Sequence, residues 1–100
     1  MYKKLLHKEN LDATAVSGEI SENTIFLEGI CKQIIVEPAT STTSYEINIT
    51  DNEGTIVFET DTETGTYPEL TDLPMRGIYT FNITSATNDE DFKIQLILEV

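Results

Sequence analysis

Hydrophobic and polar residues alternate with a period of two along much of this chain, which is the pattern of β-strands that bury one face. Ser44–Thr50 shows the pattern most clearly, because tyrosine and isoleucine alternate there with polar residues. The polar residues 51–54 that follow end in Gly54, and glycine adopts positive φ without steric cost. Residues 55–60 then resume the alternation, so the pattern predicts a β-hairpin.

The end of the chain carries two more alternating segments, residues 77–85 and 92–100, joined by the polar residues 86–91. They are predicted to form a second pair of strands. In the last segment the apolar Ile97 occupies an outward position, in the same register as lysine, glutamine and glutamate residues. Its position predicts that another segment or a partner covers that part of the outer face.

Less regular strand patterns occur in the first and middle parts of the chain, at residues 13–20, 24–27, 29–37 and 64–67. Leu70 and Leu73 follow close to two prolines, and we expect them to insert into the core from a loop. Seven or eight short strands separated by turn residues predict an all-β fold. The predicted architecture is a two-sheet antiparallel β-sandwich, of the immunoglobulin-like or jelly-roll-like kind.

The length and the uniform composition predict a single domain, which we place at residues 13–100. Residues 1–12 are predicted to form an N-terminal arm, which is basic because its first eight residues contain three lysines and no acid. The whole chain, in contrast, has a net charge of −12. We expect the arm either to dock on an acidic surface, such as that of a neighbouring copy, or to be a solvated terminus. The predicted partner-binding residues are Lys3, Lys4, Lys8 and Ile97.

The charge and hydropathy of the chain exclude several classes of protein. A net charge of −12 repels nucleic acid and anionic membranes. No apolar run reaches the length of a membrane span, and the basic N-terminal residues are not followed by the apolar region of a secretion signal. We therefore expect a soluble protein that is made in a cytoplasm and binds neither nucleic acid nor membrane.

Residue types that carry chemistry are present but are not arranged as in an enzyme. The carboxylates fall mainly at outward strand positions and in loops, where solvation is the expected role. Cys31 and His7 are the single cysteine and histidine, and His7 lies in the predicted arm, so we reject a catalytic Cys–His pair. The acidic residues 51–54 and 88–91 are interpreted as turns, because neither matches a known calcium-binding loop. No catalytic residue, cofactor or metal site is predicted.

Residues 34–51, 77–84 and 88–94 carry several motifs in a fixed order. They are a strand ending near a proline, a tyrosine–x–apolar strand, an aspartate–x–x–glycine turn and a glycine–x–tyrosine–x–phenylalanine strand. In this order they resemble small structural proteins of tailed phages. The resemblance implies a non-enzymatic protein of the virion, made in the host cytoplasm, that acts as a capsid decoration or cement protein. The implied partners are the major capsid protein or other virion proteins, and a homo-oligomer is compatible with this role.

An adhesive or carbohydrate-binding β-sandwich, in a fibre or as a module of a larger protein, is the alternative. The glycine–x–tyrosine–x–phenylalanine strand is also similar to the last strands of jelly-roll modules appended to secreted bacterial enzymes. Sugar-binding surfaces commonly use exposed aromatic side chains, so this alternative predicts an aromatic patch around Tyr67 or Tyr2.

Overall fold

The computed structural model describes residues 6–100, which form β-strands joined by turns and loops. Nothing in this range is a helix long and apolar enough to cross a membrane. The strands form two five-stranded sheets, which confirms the predicted all-β antiparallel sandwich. Ten strands replace the predicted seven or eight, partly because β2 and β7 have only two residues each. The strands are β1 (Leu6–Asn10), β2 (Ala13–Thr14), β3 (Ile20–Asn23), β4 (Leu27–Pro38), β5 (Ser44–Thr50), β6 (Ile56–Glu59), β7 (Glu63–Thr64), β8 (Tyr67–Gly77), β9 (Thr80–Thr84) and β10 (Asp91–Glu99).

The first sheet has the strand order β1-β10-β4-β8, and each neighbouring pair is antiparallel. β2 also pairs with β10, on the same side as β1. Between these two strands, Leu11 donates its main-chain N–H to the carbonyl of Ile94, and the carboxylate of Asp12 accepts the Ile94 N–H. The described part of the predicted arm, residues 6–12, therefore belongs to the edge of this sheet.

The second sheet has the strand order β3-β9-β5-β6, and β7 also pairs with β5. The predicted hairpin of β5 and β6 is present. In its turn, the Asp51 carboxylate accepts the main-chain N–H groups of Glu53 and Thr55, each at 2.9 Å. Gly54 has a φ of 84°, a conformation that favours glycine at this position of a tight turn.

The core lies between the two sheets and is filled by inward side chains from both. Tyr45 of the second sheet and Phe92 of the first meet edge to face, with their ring centroids 5.2 Å apart. The Tyr45 hydroxyl donates to the carbonyl of Gly65 at 2.5 Å. Burying a side chain of the size of phenylalanine contributes about 1.5–3 kcal/mol to stability. Other large and fully buried side chains are Leu27, Ile34, Val36, Ile47, Ile49, Phe81, Ile83, Ile94, Leu96 and Leu98.

Tyr67–Gly77 is a long strand, β8, rather than the predicted short edge strand and loop. It includes Pro68 and Pro74. These prolines fit because β8 is an edge strand of the first sheet, whose outer side needs no hydrogen-bond donor. Leu73 packs against the core, as predicted. The prediction for Leu70 is wrong, because its side chain is 74% exposed.

The two alternating segments at the end of the chain lie in different sheets. β9 pairs with β3 and β5, whereas β10 pairs with β1, β2 and β4. Both segments are strands with the predicted inward faces, but the prediction that they pair with each other is wrong. Alternation determines which face of a strand is buried, and it carries no information about which strand lies alongside.

Candidate functional site

The structure brings two of the four predicted partner-binding residues together. Lys8 of β1 and Ile97 of β10 oppose each other across the strand pair, so their side chains lie on the same face of the sheet. Lys8 is exposed and Ile97 is half-buried. Lys3 and Lys4 lie outside the described residues. The prediction for this pair of lysines therefore stays a prediction.

The outward positions of β1, β10, β4 and β8 form one surface, which we call the first-sheet face. Several apolar side chains lie on it. Ile97 opposes Gln33 of β4, and Gln33 opposes Leu70 of β8, so these residues form one row across the sheet. Ile35 lies in the next row and Ile30 in a row nearer the other end. An isoleucine or leucine on an outer face adds nothing to the core between the sheets, so these positions are candidates for a contact surface.

Charges of both signs lie on the first-sheet face in nearly equal numbers. Lys32 Nζ lies 2.5 Å from the Asp72 carboxylate, and this hydrogen bond raises the pKa of Lys32. Arg76 Nε lies 3.4 Å from the Glu28 carboxylate. In the described part of the chain every lysine and arginine lies on this face. Its four cations and five carboxylates are Lys8, Lys32, Arg76 and Lys93, and Glu28, Glu37, Asp72, Asp91 and Glu99.

The outward positions of the second sheet, which we call the second-sheet face, are mostly polar and uncharged. The Asn82 amide donates to the Asn48 side-chain oxygen at 2.8 Å, and the Thr80 hydroxyl donates to Asn23 at 2.9 Å. Strands β3, β5, β6, β7 and β9 contain no lysine or arginine. This face is therefore suited to contact with water.

Exposed apolar side chains also gather at one end of the sandwich. Ile25 and Phe26 lie between β3 and β4, and Ile78 lies between β8 and β9. The two connections run side by side, because the Thr24 N–H donates to the Tyr79 carbonyl at 2.8 Å and the Thr24 hydroxyl accepts the Tyr79 N–H at 3.0 Å. Phe26 is 59% exposed, which is unusual for a phenylalanine.

Two further exposed side chains lie at the same end. Leu6 begins β1 opposite Glu99, and Val100 follows Glu99 in the chain. We call Leu6, Ile25, Phe26, Ile78 and Val100 the apolar end. A cleft of about 310 Å³ opens there and is lined by His7, Ile25, Phe26, Leu27, Glu28, Leu98 and Val100.

The polar side chains beside this cleft hold the β3–β4 connection in place. Glu9 of β1 accepts the main-chain N–H of Ile25 at 3.1 Å. His7 Nε2 lies 3.7 Å from a Glu9 carboxylate oxygen, and it is buried without a hydrogen-bond partner among the described residues. Glu9 therefore ties the β3–β4 connection, which carries Ile25 and Phe26, to the first sheet.

The opposite end of the sandwich is acidic and contains a larger cleft of about 540 Å³, lined in part by Asp12 and Asp91. Its carboxylates already accept hydrogen bonds from the protein. Asp91 accepts from the Thr14 hydroxyl at 2.5 Å, and Asp12 accepts from the main-chain N–H of Ile94 at 3.0 Å. Among residues 6–100, no three histidine, cysteine or acidic side chains are grouped so as to hold a metal ion. These carboxylates therefore stabilise the fold through hydrogen bonds to neighbouring residues.

Cys31 and His7 do not form a catalytic pair. They oppose Leu98 from the two sides of β10, so two interstrand spacings, about 10 Å, separate their backbones. Cys31 is fully buried, and burial raises the pKa of its thiol. A thiol of this kind is a poor nucleophile.

The sequence predicts Lys8 and Ile97 as partner-binding residues, which stays a prediction, and it does not point to the apolar end. The signal that could have found it is the run Ile25-Phe26-Leu27, because three successive apolar residues cannot all point to one face of a strand. Only Leu27 of the three is buried. The remaining members come from distant parts of the chain and meet only in the folded sandwich. Of the two tyrosines predicted to form an aromatic patch, Tyr67 is half-buried and packs against the core, and Tyr2 lies outside the described residues.

Comparison with known proteins assigns no family to this chain. No protein-family model matches it, and a search of curated proteins gives no match. Among solved structures it is similar to carbohydrate-binding module CBM36 in complex with calcium and xylotriose, with 13% identity, a TM-score of 0.39, and coverage of 99% of this chain and 100% of the module. It is also similar to a chain of infectious bursal disease virus, Gx strain, with 7% identity and a TM-score of 0.40, covering 97% of this chain and 32% of that chain. Similarities at these scores carry no functional assignment.

Proposed function

We propose that this chain is a non-enzymatic structural protein of a virus particle, a decoration or cement protein that binds the outer capsid surface of a tailed phage. The observation that best supports the proposal is the apolar end. Five exposed apolar side chains from four separate segments lie together there, on a chain with a net charge of −12. A partner protein that covers them accounts for their exposure. The resemblance of residues 34–51, 77–84 and 88–94 to tailed-phage structural proteins supplies the class of partner.

The charge of the chain favours the outside of a particle over the inside. The inner wall of a filled capsid faces packed DNA, which repels a protein with a net charge of −12. An outer position avoids that repulsion. The described lysine and arginine residues lie on the first-sheet face, so the apolar end binds mainly through apolar contact.

Phe26 is the best anchor for such a contact. Its aromatic ring is exposed beside a cleft, and aromatic side chains dominate the energetics of many protein interfaces. The connection that carries it is held by the hydrogen bond from Ile25 to Glu9 and by the hydrogen bonds between Thr24 and Tyr79. Little ordering of the chain is therefore needed on binding, which favours affinity.

The location of the protein is tested by quantitative mass spectrometry of virus particles purified from its source. We expect the chain in a fixed ratio to the major capsid protein, and labelling of intact particles by an antibody against the chain. Absence of the chain from purified particles contradicts the proposal.

The contact itself is tested by rebinding the purified chain to capsids from which it has been removed. We expect Phe26→Ser to weaken binding about tenfold or more, because truncation of an anchor residue typically costs that much. Val16→Ser is the matched control, since Val16 is 72% exposed at the opposite end. Both variants should keep the urea midpoint of the wild type. Equal binding by the two variants removes the apolar end from the contact.

The same variants test the carbohydrate-binding alternative, for which the exposed ring of Phe26 is the relevant observation. The alternative replaces the proposal if three results are obtained together. The wild-type chain binds immobilised glycans, the substitution Phe26→Ser abolishes that binding, and the chain does not bind to capsids. We expect no saturable glycan binding.

A further inference from the structure

We infer that the first-sheet face binds a second copy of this chain, so that the protein is a two-fold symmetric dimer. This inference does not depend on the capsid proposal, because it concerns the first-sheet face, which meets the apolar end only at Leu6, opposite Glu99. The apolar end lies at the tip of the sandwich, whereas the first-sheet face is its flat side.

The apolar residues of this face lie in adjacent rows of the sheet. Ile97 and Leu70 lie in one row, Ile35 in the next, and Ile30 towards the other end of β4. Leu70 is among the most exposed large apolar side chains of the described residues, and Ile97 and Ile35 are half-buried by their neighbours on the sheet. Two such faces stacked on each other would bury these side chains as the inner faces of a sandwich do.

Charge identifies the second copy as the occupant. Two molecules that each carry a net charge of −12 repel each other. The first-sheet face is where that repulsion is weakest, because it carries four cations and five carboxylates, whereas the other described surfaces carry carboxylates and no lysine or arginine. A two-fold contact brings a patch against itself, so it needs both signs of charge on one patch. This face meets that condition.

The size of the face sets the expected strength of the dimer. Four strands about 4.8 Å apart, over about nine residues of about 3.3 Å each, span roughly 600 Å² on each copy. Stable interfaces bury about 800 Å² on each partner. We therefore expect a dimer with a dissociation constant in the micromolar range rather than the nanomolar range.

The inference is tested by sedimentation equilibrium on the full chain. We expect the wild type to dimerise, and Ile97→Glu to weaken dimerisation about tenfold or more. Thr50→Glu is the matched control, because Thr50 is a half-buried outward residue of a central strand in the second sheet. It should change the dissociation constant by less than about twofold. Leu70→Glu, at an exposed edge-strand position, gives the same test without risk to folding.

The salt dependence of dimerisation and a third variant test the inference further. Raising sodium chloride from about 50 mM to about 500 mM should strengthen dimerisation, because it screens the net repulsion between copies. Phe26→Ser should leave the dissociation constant unchanged. A wild type that stays monomeric at about millimolar concentration overturns the inference. Dimerisation lost in Phe26→Ser but kept in Ile97→Glu and Leu70→Glu also overturns it, by moving the contact to the apolar end.

Discussion

The two sheets of this sandwich have similar inner faces and different outer faces. Inward positions of both sheets are filled with isoleucine, leucine, valine, tyrosine and phenylalanine, and most are fully buried. On the outside, the first sheet carries Ile30, Ile35, Leu70 and Ile97 together with nearly equal numbers of positive and negative charges, whereas the second carries mainly asparagine, threonine and serine. At the edge of the second sheet, Ile56 is an apolar exception.

The difference between the two outer faces shows which positions in the sequence are constrained by folding. A core between two sheets requires apolar residues at inward positions, and both sheets supply them. Folding makes no such demand on outward positions, which is why the second-sheet face is polar. Apolar residues that lie outward on one sheet and not on the other are therefore the basis of our inference that this face makes a contact outside the fold. The following substitutions test this reasoning, from the largest expected effect to the smallest.

Leu96→Ala compared with Ile97→Ala tests the difference between inward and outward positions directly. Leu96 is fully buried and Ile97 is its outward neighbour on β10. We expect Leu96→Ala to lower the free energy of unfolding by about 2–5 kcal/mol. Ile97→Ala should lower it less, by about 1–2 kcal/mol, because Ile97 is half-buried on an outer face and its truncation leaves no enclosed cavity. Urea unfolding at a protein concentration well below the dimer dissociation constant measures both. Equal losses would mean that Ile97 serves the fold of the single copy.

A comparison of Gly29→Ala with Gly54→Ala tests how closely the backbone is packed around a glycine in each sheet. Gly29 of β4 has a φ of 149°, and a Cβ placed on it would lie 2.5 Å from the Glu99 carbonyl oxygen. Gly54 has a φ of 84° in the β5–β6 turn, and its Cβ would meet open space. Backbone strain plus overpacking predicts a loss of about 2–4 kcal/mol for Gly29→Ala. Strain alone predicts about 1–2 kcal/mol for Gly54→Ala. Thermal and urea unfolding measure the two losses, and a larger loss at Gly54 would contradict the close packing of β4 on β10.

Tyr45→Phe tests the contact that joins the two sheets. The substitution keeps the ring contact with Phe92 but leaves the Gly65 carbonyl without its hydroxyl partner. We expect a loss of about 1–3 kcal/mol at pH 7. Urea midpoints of the wild type and the variant measure it. An unchanged midpoint would mean that the carbonyl of Gly65 finds another donor.

The hydroxyl of Tyr45 also makes stability depend on pH. Burial raises the pKa of Tyr45 to about 12, whereas an unfolded tyrosine titrates near pH 10. The folded state therefore holds the proton more tightly, and this contribution is present in full below about pH 10. It is lost as the pH rises from about 10 through 12. Tyr45→Phe should show a smaller decrease in stability over that window, and equal decreases in the two proteins would assign the pH dependence to other groups.

The sequence predicts the strands well where one face is buried and the other meets water. β5, β6, β9 and β10 follow from alternation alone, because burial of one face imposes a period of two. β8 was not predicted, since Pro68 and Pro74 indicate a loop unless the strand is known to lie at an edge. Of the site, Ile97 is recognisable because it breaks a regular pattern. The apolar end is not, because Phe26, Ile78 and Val100 become neighbours only through the pairing of distant strands.

Asn82→Thr, compared with Ile97→Thr, is expected to have the smallest effect and tests the second-sheet face. Asn82 lies outward on β9 and donates a hydrogen bond to Asn48, but water can replace either partner on an outer face. Threonine suits a strand at least as well as asparagine, so the free energy of unfolding should change by no more than about 0.5 kcal/mol. Self-association, measured by sedimentation, should be unchanged in Asn82→Thr and weakened in Ile97→Thr. If Asn82→Thr weakens self-association as much, the second-sheet face is also a contact surface. The polar character of that face would then reflect a wet interface instead of permanent exposure to water.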